Sequence, residues 1–109
     1  MDTYFESWKA KDFVALRSIL ADDVKFAGPL GSADGADEYQ VSMERLGEIT
    51  TDIVIIKTFY EGDDAVTWVE LHTTTAVLSP VANWTHVEDG KIAEVRVTFD
   101  PRPLTDQLR

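Results

Sequence analysis

The chain has 109 residues, with twenty acidic against ten basic side chains, a formal net charge of −10 and no cysteine. That length fits one domain, residues 1–109, with a single core, and a hydrophobic content of 44% is that of a chain that folds. The absence of cysteine excludes disulfides and thiolate chemistry, the acidic balance opposes binding to nucleic acid or to an anionic membrane surface, and no apolar run approaches the roughly 18 residues of a membrane span.

The opening MDTYFESWKAKD lacks a basic-then-apolar signal pattern, so a cytoplasmic location is expected. Residues 3–10 read as a helix with Tyr4, Phe5 and Trp8 on one face. A second short helix is expected over 13–21, capped by Asp12, with Phe13, Leu16, Ile19 and Leu20 as its buried stripe. Val24, Phe26 and Ala27 suit a short strand, and Gly28-Pro29-Leu30-Gly31-Ser32 reads as irregular. A third helix follows from Asp34 or Ala36 to Leu46, with Asp37 and Glu38 in its first turn. Ala36, Tyr39, Met43 and Leu46 form its inner stripe, and Gly47 ends it. From residue 50 the period changes to alternation. Strands are expected at 52–60 and 65–75, joined by a turn over 61–64, with residues 77–80 as the next connection.

The last stretch reads as a hairpin about Asp89-Gly90, a preferred pair for a two-residue turn. With the turn there, Glu88 faces Lys91, Val87 faces Ile92 and Trp84 faces Val95. Trp84 and Ala82 then share an apolar face with Val95, Val97 and Phe99, and Asn83 and Thr85 share a polar face with Glu94 and Arg96. A slip of one residue would turn one strand over, so the side taken by Asn83 depends on the register. Pro101 and Pro103 stop the strand. Helices followed by a run of strands argue for an α+β domain.

Trp8 with Lys11-Asp12, Leu20-Ala21-Asp22-Asp23-Val24, Gly28-Pro29-Leu30-Gly31-Ser32, Glu88-Asp89-Gly90-Lys91-Ile92 and the closing Phe99-Asp100 together resemble the SnoaL-like branch of the nuclear transport factor 2-like superfamily. That superfamily also holds ketosteroid isomerases and limonene epoxide hydrolases. The resemblance covers nearly the whole chain and rests on the order and spacing of these segments. It implies a cone-shaped barrel, a curved antiparallel sheet of four long strands and one short strand wrapped around three helices. It also implies an apolar pocket and a homodimer formed through the outer sheet face. It does not imply one reaction. Gly28 stands where ketosteroid isomerases carry their general-base Asp, so that activity is not expected here. Tyr4 matches their oxyanion-donating tyrosine, and Ala82 or Asn83 falls at their second donor.

On the strand 65–75, alternation puts Val66, Trp68, Glu70, His72 and Thr74 on one face and Thr67, Val69, Leu71 and Thr73 on the other. Composition alone sends Glu70 and His72 to solvent. The resemblance instead turns Trp68, Glu70 and His72 toward the pocket and makes Val69 and Leu71 a dimer surface. In that arrangement Glu70 and His72 act as an acid–base pair and Tyr4 donates to a developing oxyanion. The chemistry would be of the isomerase, cyclase or hydrolase type on a hydrophobic small molecule. Trp68, Trp84, Asn83, Tyr39, Met43, Val95, Val97 and Phe99 are the expected ligand contacts. A metal held by Glu70, His72 and His86 is the weaker alternative, because Glu-x-His is not a ligand motif. No metal or other cofactor is expected: no glycine-rich phosphate loop or nucleophilic serine signature is visible. The rival reading is a non-catalytic ligand-binding or dimeric accessory protein.

Overall fold

The computed structural model describes residues 2–105. The elements run α1 (Asp2–Lys9), α2 (Phe13–Ser18), β1 (Leu20–Gly28), β2 (Gly31–Asp34), α3 (Ala36–Ile49), β3 (Thr50–Glu61), β4 (Asp64–Thr73), β5 (Val77–Glu88), β6 (Lys91–Thr98) and α4 (Arg102–Thr105). The α+β class holds. The sheet has six strands in the order β2-β1-β6-β5-β4-β3, open at β2 and β3 rather than closed into a barrel. It is also mixed, since β1 lies parallel to β6 while the other neighbours are antiparallel.

The local chemistry explains most boundaries. Asp12 caps α2, its Oδ1 accepting from the Ala15 N–H at 3.1 Å, as a short polar side chain does for an orphan helix-end donor. The stretch 28–32 is a tight hairpin rather than an irregular loop. Gly28 lies opposite Gly31, and Gly31 has φ 146°, a conformation open to a residue without Cβ. β5 begins at Val77, so the expected connection 77–80 is strand, and it pairs with β4 through a bulge between Val69 and Leu71.

Gly47 does not end α3, which runs on to Ile49. It is buried, and a Cβ there would stand 2.5 Å from Cζ of Phe13. The glycine serves the close approach of α2 to α3.

Inner and outer faces follow from the strand register. Ile53, Leu71 and Leu78 align across β3, β4 and β5, and so do Val69 with Val81, Thr67 with Asn83, and Ala65 with Thr85 and Val95. With Tyr4, Phe5, Trp8, Leu16, Tyr39 and Met43 from the helices, Ile53, Val69, Leu71, Leu78, Val81 and Val95 of these rows make one buried core. On the outer face, Phe59, Val66, Trp84 and Arg96 align, and so do Lys57, Trp68, Ala82 and Thr98. His86 lies beside Asp64 on that face, Nδ1 to Oδ1 2.7 Å, with Glu88 Oε1 3.4 Å from Nε2.

Two outcomes test this account. Gly47→Ala should gain about 1 kcal/mol of helix propensity but lose more, about 2 kcal/mol, by overpacking Phe13. It is therefore destabilising in the native chain and stabilising in a Phe13→Ala background, as read by denaturant unfolding. The Asp64 hydrogen bond, aided by Glu88, raises the His86 pKa above its ordinary 6.5. A raised folded-state value adds stability below the unfolded pKa, and that stability is lost as pH rises through the folded one. The melting temperature should therefore fall as pH rises above the ordinary His value of 6.5, and Asp64→Asn should flatten that fall.

Candidate functional site

Turn register decides which side chains enter the interior. The hairpin begins as expected, with Glu88 opposite Lys91 and Val87 opposite Ile92, but the next pair is His86 with Glu94. Ala93 is thus an extra residue, a bulge that shifts the rest of the pairing by one. Trp84 faces Arg96, not Val95. Thr85 faces Val95 and Asn83 faces Val97. Val95 is fully buried, Val97 and Phe99 are half-buried, and all three pack on the core, so the apolar face of 92–99 is as expected. The β5 residues that join it are Asn83 and Thr85, while Ala82 and Trp84 turn outward.

The same reversal holds on β4. Ala65, Thr67, Val69, Leu71 and Thr73 are buried, and Val66, Trp68, Glu70 and His72 lie on the other face. The expected pocket orientation of Trp68, Glu70 and His72 is therefore overturned, as is the assignment of Val69 and Leu71 to a dimer surface. Burying Val69 and Leu71 gains about 1.5–3 kcal/mol each, whereas burying a carboxylate and an imidazole costs several. Glu70 Oε1 and His72 Nε2 do meet, at 3.3 Å, with their side chains 35% and 34% exposed. Their neighbour Asp52 pairs with Lys9 at 3.0 Å, and that cation holds its carboxyl below the usual range. Glu70 and His72 belong to this outer network. His86 lies opposite Asp64 and His72 opposite Val77, at opposite ends of the β4–β5 ladder. Among the described residues no group of three His, Asp or Glu is placed to hold a metal.

What the interior brings together is Tyr4, Tyr39 and Asn83, each 1% exposed or less, bordered by Thr67 and Thr85 at 0%. The Tyr4 and Tyr39 hydroxyls hydrogen-bond to each other. Burial raises the Tyr4 pKa, while hydrogen bonds from Tyr39 and Asn83 pull it back. Tyr39 is raised well above the ordinary phenol value, by burial first and then by Tyr4. Both phenols are therefore neutral near pH 7. Either hydroxyl can be the donor in their mutual bond, and that bond uses one of the pair's two protons, leaving the other for a further acceptor. The Asn83 Oδ1 is buried and has no hydrogen-bond partner.

Phe26 stacks on Tyr39, ring centroids 4.6 Å apart and planes 17° from parallel, and Met43 is buried one turn further along α3. No charged side chain is buried among the described residues. Two shallow depressions lie outside this cluster. One, of about 350 Å³, is lined by Phe5, Glu6, Lys9, Ile53, Val54 and Ile55. The other, of about 460 Å³, is lined by Lys25, Phe26, Ser32, Ala33, Asp34 and Glu38.

Among the sequence-expected contacts, Tyr4, Tyr39, Asn83, Met43, Val95, Val97 and Phe99 are thus on the inner side. Glu70, His72, Trp68 and Trp84 are on the outer side. Phe26 and Thr85 are new members. Phe26 could have been found from its place two residues before Gly28, on the same strand face.

Comparison with known structures agrees with this architecture. A protein from Kribbella flavida DSM 17836 is 26% identical, with a TM-score of 0.88 over 95% of this chain and 86% of that one. An NTF2-like protein of unknown function from Cytophaga hutchinsonii is 27% identical, with a TM-score of 0.84 over 94% and 88%. An LEH-like epoxide hydrolase from M. tuberculosis shares the fold at 18% identity, with a TM-score of 0.78 over 98% and 84%. No functionally curated protein matches the chain. The model of the SnoaL-like domain matches residues 1–95, and with the helices, sheet order and interior described above, the chain belongs to the SnoaL-like domain family.

Proposed function

We propose that this protein binds a small, mostly apolar molecule carrying one hydroxyl group, and that it does so in the interior beside Tyr4, Tyr39 and Asn83. The observation that carries the reading is the unpartnered Oδ1 of Asn83. A buried acceptor left unpaired costs about 1–3 kcal/mol, and a phenol pair beside it adds a free donor. A ligand hydroxyl satisfies both, accepting from the phenol pair and donating to Asn83. A carbonyl would satisfy the phenol pair alone. The rest of the wall, Val95, Val97, Phe99 and Met43, offers only apolar contact.

The reading is of a binding module rather than an acid–base enzyme. Tyr4 and Tyr39 are held neutral, Gly28 supplies no side chain, and the Glu70–His72 pair faces away from the cluster. Among the described residues the interior thus contains donors to polarise an oxygen and no base to take a proton.

The measurement is calorimetric titration with 2-naphthol, naphthalene and 2-acetylnaphthalene. The hydroxyl-bearing probe should bind most tightly. Asn83→Leu should abolish that preference, because it removes the unpaired acceptor. Equal affinity for all three probes, or an unchanged preference in the variant, overturns the reading.

For assembly, we propose a two-fold dimer through the outer sheet face. Phe59, Val66 and Trp68 are 57%, 37% and 41% exposed, and with Trp84 they lie contiguously across β3, β4 and β5. Aromatic side chains of this kind favour the centre of an interface. Trp68→Glu should convert a dimer to a monomer by light scattering, with its far-ultraviolet spectrum intact. A native chain that is monomeric at high micromolar concentration sinks this proposal.

A further inference from the structure

We infer that Phe26 is a built-in plug, its ring occupying the place where the flat ring of a ligand lies, so that outward movement of Phe26 joins the 460 Å³ depression to the Tyr4–Tyr39–Asn83 cluster. The inference rests on the reading of that cluster as a binding site and specifies its entrance and the shape of its ligand.

Four observations carry it. One face of the Phe26 ring stacks on Tyr39, at 4.6 Å and 17°, the geometry that a bound aromatic ring would adopt on the same phenol. Phe26 also lines the depression on the β1–β2 side, so one half-buried side chain touches both that hollow and a tyrosine that is fully buried. A Cβ at Gly28 would stand 3.2 Å from Cζ of Phe26 and 3.7 Å from the Val97 carbonyl oxygen, so the ring leans into the space left by the missing side chain. Val97 is the partner of Asn83 on the next strand, which places that space in the row of the unpartnered acceptor.

The way out is also built. Ser32 and Ala33 at the mouth belong to β2, the edge strand of the sheet, and nothing lies within 4 Å of a Cβ built on Gly31 at the turn. The exit for the ring lies between this edge strand and α3, which contributes Glu38 to the mouth. The charged groups at the mouth are Lys25, Asp34 and Glu38, with Lys25 and Asp34 paired to each other across the hairpin. A neutral ligand passes them without losing an ion pair. The chemistry that fits is therefore a planar, uncharged aromatic ring with one hydroxyl on its edge.

The plug makes a quantitative demand. A site whose open form is a minor population shows an affinity reduced by that fraction. Removing the plug should tighten binding by about tenfold, the equivalent of one stacked aromatic pair.

The test is titration of 2-naphthol into the native protein and into Phe26→Ala, Phe26→Leu and Phe26→Trp, with circular dichroism as the control of folding. Phe26→Ala and Phe26→Leu should bind about tenfold more tightly, and Phe26→Trp more weakly than the native chain. Phe26→Leu keeps the apolar bulk and removes the stack, so it carries the test if the alanine variant does not fold. Folded variants that bind no more tightly than the native chain overturn the plug. Adding Asn83→Leu to Phe26→Leu separates this inference from the one beneath it. Loss of the gain supports both. A retained gain supports the plug and overturns the role of Asn83.

Discussion

The contact between the Tyr4 and Tyr39 hydroxyls joins the first helix to the third in the middle of the core. Each phenol is buried, and each would cost a few kcal/mol if its oxygen were left alone. Paired, they fix how α1 lies against α3, and that fixes what the sheet must present to them. Asn83 meets the Tyr4 oxygen from β5, and Thr67 and Thr85 stand beside it. Around these polar groups the core is apolar: Leu16, Val24, Val69, Leu71, Leu78, Val81 and Val95 are all 2% exposed or less. A second tie secures the other end of α1, where Trp8 Nε1 donates to Thr50 Oγ1 at 3.3 Å and that hydroxyl donates in turn to the Leu46 carbonyl.

Much of this was legible from residue pattern. The inner stripe Ala36, Tyr39, Met43 was read from 3.6-residue spacing, the Asp12 cap from its chemistry, and the 89–90 turn from a dipeptide that tolerates positive φ; Asp89 and Gly90 indeed have φ 51° and 78°. The alternation on β4 was also correct. What could not be read was which side of that alternation faces the helices, since Val66 and Trp68 are as apolar as Val69 and Leu71. The cost of desolvating a carboxylate and an imidazole puts Glu70 and His72 outside, where they lie, whereas the family resemblance turns them inward, against the structure. On β5 the error has one cause. Ala93 carries no mark of a bulge, yet it shifts every pair beyond Val87 and so turns Asn83 in and Trp84 out. The second hairpin, β1–β2, was missed because a glycine–proline stretch suits a tight turn as well as a loop.

The charge of −10 is a surface property of the chain. Lys9, Arg17, Lys25, Arg96 and Arg102 each pair with an acid, mostly at exposed positions where such pairs contribute little to stability. The unbalanced acids lie outside the core, and among the described residues the interior is left to neutral groups.

The parallel contact of β1 with β6 has a consequence for how the chain reaches its native state. Phe26 lies opposite Val95, so this ladder closes a loop of roughly 70 residues, far longer than the hairpins that build the rest of the sheet. Loop closure over that span must be met before its contacts are gained, and topologies rich in distant pairing fold slowly. The β3–β6 meander can form from local turns, and the amino-terminal strand docks onto it. The ring that stacks on Tyr39 therefore sits on the segment with the longest search, and this side of the core is completed only when the two ends of the sheet-forming chain have found each other.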